Sequence, residues 1–150
     1  MKRTFELTIP AAMEFLILVR RTIRDLGFLF SFPELELEKV VLAVDEGCTN
    51  SIRNIRNSGD GEGSVQIIME ISPESYAVTV CDNGDEFQDE FERQVNLGER
   101  IRSMETSGYG IPVIKQIMDR VKYEHLPGKG NRLCMTKFHT SYTKVKHHRD

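Results

Sequence analysis

Cysteine is scarce in this 150-residue chain, and its three copies, Cys48, Cys81 and Cys134, share no CxxC spacing. An odd count so widely separated suggests neither a zinc site nor a disulfide framework. Each lies among apolar residues, which predicts small buried side chains. Strong charge of one sign is lacking too. The net charge is -3, with 29% charged and 39% hydrophobic residues, so nothing general favours direct nucleic-acid binding, and any bound phosphate must be held locally. Long apolar runs are missing as well. The cluster AAMEFLILV near residue 11 is too short and interrupted to span a bilayer, and no signal-peptide pattern opens the chain. No membrane association and a cytoplasmic location are therefore expected. The four histidines form no metal constellation, since His139, His147 and His148 fall at or beyond the last expected strand. Internal repeats and a second-domain boundary are absent.

What remains is enough chain for one domain with a core of its own. RTFELTI alternates like a half-buried strand. Pro10 then opens a helix with Phe15, Leu18, Val19 and Ile23 at helical spacing before Gly27. FPELELEKVVLAVDEGCTNSIRNI begins with Pro33 and two glutamates suited to a helix N-terminus. It keeps apolar spacing through Val40, Val41, Val44 and Ile52 and stops at NSGDGEG. SVQIIMEI and YAVTVCD, joined by SPES, read as a hairpin. Residues 83–108 form a long polar loop of the kind that serves as a lid. YGIPVIKQIMDRV reads as a helix with Pro112 in its first turn, and KYEHL and NRLCMTKFH as strands around the turn PGKGN. Residues 141–150 make a basic tail, expected to be flexible, after a single domain over 1–140. The order β-α-α-β-β-loop-α-β-β is α+β: a mixed sheet with helices on one face, not a doubly wound fold.

Four stretches carry possible chemistry. In a helix, Glu46, Asn50 and Arg53 or Asn54 line one ridge. The Asn50 amide oxygen suits Mg²⁺, which keeps waters and substrate phosphates in its shell, while Glu46 can order a water or accept a proton. The alternative is a solvated face with Glu46 paired to Arg53. In CDNGDEF, directly after a strand, Asp82 can accept a hydrogen bond from a purine amine, and Gly84 lets backbone approach a flat ring. DNG alone is also an ordinary turn. SGYGI, residues 107–111, is a glycine pair leading into a helix, a junction that can receive phosphate. It lacks the P-loop and dinucleotide-fold signatures. In PGKGNRL, Gly128 and Gly130 flank Lys129, equally readable as a plain hairpin turn.

In this order, E-x-x-x-N, strand-DxG, GxG before a helix and strand-GxG-strand resemble the N, G1, G2 and G3 boxes of the Bergerat, or GHKL, ATP-binding fold over about residues 36 to 138. Within that superfamily DEGCTNSIRN and SGYGIPVIKQIMDRVKYE are similar to the anti-sigma factor serine/threonine kinases of the RsbW type. The resemblance implies a two-layer α/β sandwich with a mostly antiparallel sheet. It implies ATP and Mg²⁺ as cofactors, with Asn50 as metal ligand, Glu46 as general base toward a protein serine hydroxyl, and Arg53 and Asn54 near the phosphates. Asp82 would recognise adenine and Gly84 would shape its pocket. Gly108 and Gly110, with Ser107 and Tyr109, would form the lid hinge over the triphosphate. Gly128, Gly130 and Asn131 would close the far wall. Implied partners are a sigma factor, an anti-sigma-factor antagonist of the STAS type as phosphorylation substrate, and a second copy of the chain. Thr106 stands where some members carry a phosphate-binding arginine, Asn131 where threonine is usual, and Glu86 at the second glycine of the G1 box. The first of these favours, as an alternative, an ATP-gated binding protein without strong catalysis. A detached histidine-kinase catalytic domain would need a dimerisation helix bearing a phosphorylatable histidine, yet His125 and His139 fall in expected strands.

Overall fold

The computed structural model describes residues 1–57, 62–85 and 110–140. Alternation in RTFELTIP builds strand β1, Arg3–Pro10. A short 3-10 turn, Met13–Phe15, leads into helix α1, Leu16–Leu29, whose buried stripe is Leu16, Val19, Ile23 and Leu26. Leu18, expected on that stripe, is instead 47% exposed, because Val19 and Ile23 already set the inward face. Gly27 does not end the helix. A Cβ there would lie 2.2 Å from Leu37 Cδ1, so the glycine lets the following helix close in, and the chain reverses later through Ser31 at φ 55°.

Helix α2, Glu34–Asn57, begins with Glu34 and Glu36 in its first turn, where the helix dipole favours acids. Val40, Val41, Val44, Cys48, Ile52 and Ile55 are buried along it. Strands β2, Ser64–Ile71, and β3, Ser75–Asp82, form the expected hairpin. The Ser72 hydroxyl oxygen accepts from the N–H groups of Glu74 and Ser75 at 3.3 and 3.2 Å, which fixes the turn.

Helix α3, Gly110–Ile117, is shorter than its apolar pattern suggests. Asp119 explains the early stop: its N–H donates to Thr136 O, and its carboxylate accepts from the Phe138 N–H and from Lys137. The chain is thereby turned into β4, Arg120–Leu126, which pairs with β5, Gly130–Phe138.

The sheet order is β1-β2-β3-β5-β4, and every pairing among the described strands is antiparallel. This is the expected α+β architecture. Inward residues of the central strands, Val65, Ile67, Met69, Tyr76, Val78, Val80, Leu133 and Met135, meet α1, α2 and α3 in one core. Gly47 lets α2 lie close, since a Cβ there would be 3.3 Å from Leu133 Cδ2. The opposite face carries Gln66, Ile68, Thr79, Cys81 and Cys134, half-buried and uncovered by any described helix. Of the three cysteines only Cys48 is buried as expected; Cys81 and Cys134 sit on strand positions whose alternation sends them to this open face. No described helix is long and apolar enough to cross a membrane. The expected lid and the basic tail fall largely or wholly outside the described residues.

Candidate functional site

The α2 ridge is built by its neighbours in sequence. Asp45 is held by Arg20 of α1 at 2.6 Å, the Thr49 hydroxyl donates to Asp45 O, and Gly47, Cys48 and Ser51 are buried. With those positions committed, the helical period carries Glu46, Asn50, Arg53 and Asn54 along one side. Burial falls from Asn50, 8% exposed, through half-buried Glu46 and Asn54 to exposed Arg53. Among the described residues no direct ion pair joins Glu46 to Arg53. Burial raises the Glu46 carboxyl above its ordinary value; neighbouring Asp45 adds to the rise and Arg53 opposes it.

Asp82 ends β3 on the inward side and is 4% exposed. One of its oxygens, Oδ1, accepts from the Gly84 N–H at 2.8 Å and from Asn131 Nδ2 at 2.9 Å. Its other oxygen, Oδ2, is buried with no partner among the described residues, and so is Asn50 Nδ2. Leaving such atoms unmatched costs about 1–3 kcal/mol each, which a ligand would recover. Asn54 Nδ2 donates to Asp85 O at 2.5 Å, drawing the ridge onto the turn after β3. A side chain at Gly84 would prevent that: a Cβ there would lie 2.5 Å from Asn54 Nδ2 and 2.9 Å from Asp82 Oδ1.

The third wall comes from the β4–β5 hairpin. Asn131, 1% exposed, is fully engaged: Oδ1 accepts from the Tyr123 hydroxyl and lies 3.0 Å from His125 Nδ1, while Nδ2 donates to Asp82 Oδ1 and to Asp85 O. It therefore positions Asp82 as well as lining the cleft. Gly130, at φ 86°, packs so tightly that a Cβ would fall 1.9 Å from Asp82 O. Gly128 plays no such part. It sits at φ 77° in an open turn with nothing within 4 Å, and Lys129 N–H donates to Leu126 O across it. Gly110 starts α3, whereas Ser107, Gly108 and Tyr109, with Thr106 and Glu86, lie outside the described residues. Tyr123 and His125 were missed in the sequence, because only the β4–β5 register, His125 opposite Asn131, brings them in.

Together these parts offer a buried carboxylate oxygen beside a glycine, an amide with an unmatched donor, and a half-buried carboxyl whose pKa is raised. A flat heterocycle with an exocyclic amine fits the first. No group of three described His, Cys, Asp or Glu side chains could hold a metal; the Asn50 amide oxygen, completed by phosphate and water, suits Mg²⁺.

The chain belongs to the histidine kinase-like ATPase domain family, which it matches over residues 9–137. Within that family its sequence is of the RsbW type. It is 28% identical over 138 residues to serine-protein kinase RsbW of Bacillus velezensis, covering 89% of this chain and 84% of the relative. The enzyme of that name from Bacillus subtilis is 27% identical over 138 residues, with the same coverage. The crystal structure of the RsbU and RsbW domains of a Mycobacterium tuberculosis protein superposes with a TM-score of 0.65 at 14% identity, over 91% of this chain and 32% of that one. The SiaB–SiaC complex of Pseudomonas aeruginosa gives 0.60 at 13% identity, over 89% of each chain. At those identities the structural likeness is one of fold.

Proposed function

We propose that this protein binds Mg-ATP between the α2 ridge and the end of β3, and phosphorylates a serine or threonine of an anti-sigma-factor antagonist of the STAS type. The observation that carries the reading is the pair of unmatched buried atoms, an acceptor at Asp82 Oδ2 and a donor at Asn50 Nδ2. Asp82 Oδ2 accepts a hydrogen bond from the adenine amine, with Asn131 and the Gly84 N–H holding the carboxylate in place. Asn50 holds the metal through its oxygen, and Arg53 and Asn54 lie toward the phosphates. When bound, Mg²⁺ would offset charge on the transferring phosphoryl group. Glu46 takes the proton of the attacking hydroxyl as the new P–O bond forms and the bond to the ADP leaving group breaks; its raised pKa suits a base.

The RsbW relatives are named serine-protein kinases, and the SiaB structure is of a two-protein complex, which supports a kinase that works through partners. A sigma factor released when the antagonist competes, a homodimer and a cytoplasmic location complete the proposal. Thr106, in place of an arginine, favours a second reading: an ATP-gated anti-sigma switch with weak catalysis. Transfer of labelled γ-phosphate to STAS-type antagonists separates them. The kinase reading expects Mg-dependent transfer that falls by about 10²–10⁴-fold in Glu46→Gln. Nucleotide binding without transfer to any antagonist would leave only the switch.

A further inference from the structure

The sheet face turned away from the helices holds a concavity of about 480 Å³, within the range of small-molecule pockets. Its floor is one straight cross-strand row: Thr8 pairs with Gln66, Gln66 with Cys81, and Cys81 with Arg132. Ile68 lies one step along this face, and the β4–β5 turn adds Leu126 and Lys129 as a wall. Among the described residues neither Lys129 nor Arg132 forms an ion pair. Glu124, the cross-strand neighbour of Arg132, is taken up by Lys122 at 2.8 Å. Glu6 stands at the far edge, 3.4 Å from Gln66 Nε2. Asp82, which also borders the concavity, ends β3 on the inward side, where its Oδ1 is tied to Asn131 and the Gly84 N–H. Burial raises the Cys81 thiol above its ordinary value, opposed by the charge of Arg132 and by its hydrogen bond to the sulfur, so Cys81 and Arg132 form one hydrogen-bonding group on the floor. The β4–β5 side is thus cationic, the middle offers amide and hydroxyl groups, and Ile68 on β2 supplies an apolar surface across the sheet from Lys129 and Leu126.

We propose that this concavity is a second ligand site, for a small organic anion whose phosphate or carboxylate lies between Lys129 and Arg132 and whose apolar part rests on Ile68. Asp82 and Asn131 border it from the strand ends, which places it back to back with the nucleotide cleft across the sheet. Paired guanidinium and ammonium groups recognise either oxyanion. Amide-resolved NMR titrations of the whole chain with phenyl phosphate and, separately, with benzoate test the proposal, with Asn50→Ala as background to weaken phosphate binding in the cleft. The expected result is saturable shifts centred on Gln66, Ile68, Cys81 and Arg132 with at least one probe. Which probe responds names the headgroup. Both cations are exposed, so Lys129→Gln with Arg132→Gln, which sets no like charge opposite Glu124, should leave thermal unfolding nearly in place and weaken binding by about tenfold or more. Shifts confined to α2, no saturable response to either probe, or a response unchanged in the double variant would overturn it.

Discussion

Alanine at Gly130 puts a methyl group where the end of β3 already is. The built Cβ lies 1.9 Å from Asp82 O and 2.7 Å from Asn83 Cα, against the 3.4–4 Å of an ordinary contact, and both neighbours are backbone. The strand end must therefore move, an overpacking term of about 1–3 kcal/mol. The residue also sits at φ 86°, where an L side chain costs about 1–2 kcal/mol. Gly130→Ala should lose about 2–5 kcal/mol in all. Gly128→Ala provides the internal control. It has nearly the same φ, 77°, but nothing within 4 Å, so only the conformational part, about 1–2 kcal/mol, applies. Urea unfolding with unchanged slope reads both losses. Because the clash falls on Asp82 itself, Gly130→Ala should also weaken nucleotide binding, while Gly128→Ala should not. Equal small losses in the two variants, or full nucleotide affinity in Gly130→Ala, would refute the reasoning.

Glu46 should show opposite effects on activity and stability. Its folded pKa is raised above 4.5, so the folded state disfavours the charged form, and that penalty is present above the folded pKa and absent well below the unfolded one. Glu46→Gln should thus be slightly more stable than the parent at neutral pH, and the difference should vanish as pH falls below about 4; thermal unfolding across pH checks it. Activity of the parent should fail on the acid side as Glu46 protonates, at a pH above the ordinary glutamate range. Lys137 is an independent test of the fold. Its ammonium lies 3.2 Å from both buried Glu36 and half-exposed Asp119, with Lys39 a weaker partner to Glu36 at 3.6 Å. Lys137→Met should cost about 3 kcal/mol, the low end for breaking a buried pair, because Lys39 remains and Asp119 reaches solvent; urea unfolding measures this.

Much of this architecture could be read from periodicity. The second helix, the β2–β3 hairpin and the strands around PGKGN lie where alternation and helical spacing put them, and Val40, Val41, Val44 and Ile52 are all buried. The failures share a cause: they depend on what an element packs against. Gly27 looks like a helix stop until Leu37 is seen against it, and Leu18 looks like core until Val19 sets the face. The end of α3 rests on Asp119 bonding to β5, a long-range contact with no local signature. At the site, the E-x-x-x-N ridge and the Asp82–Gly84 turn were visible as types and spacings. The role of Asn131 was not, since its partners Tyr123 and His125 on β4 and Asp82 and Asp85 at the end of β3 meet it only through strand register. Gly128 and Gly130 look equivalent in the sequence and are not, because only one of them meets Asp82.

Calorimetric titration of the purified protein with ATP, with and without Mg²⁺, beside the Asn50→Ala variant, tests the central claim most directly. Magnesium-enhanced binding is expected in the parent, and loss of the magnesium effect in Asn50→Ala with thermal unfolding nearly intact. Parent protein that binds no ATP, or a variant that keeps the full magnesium effect, would contradict it.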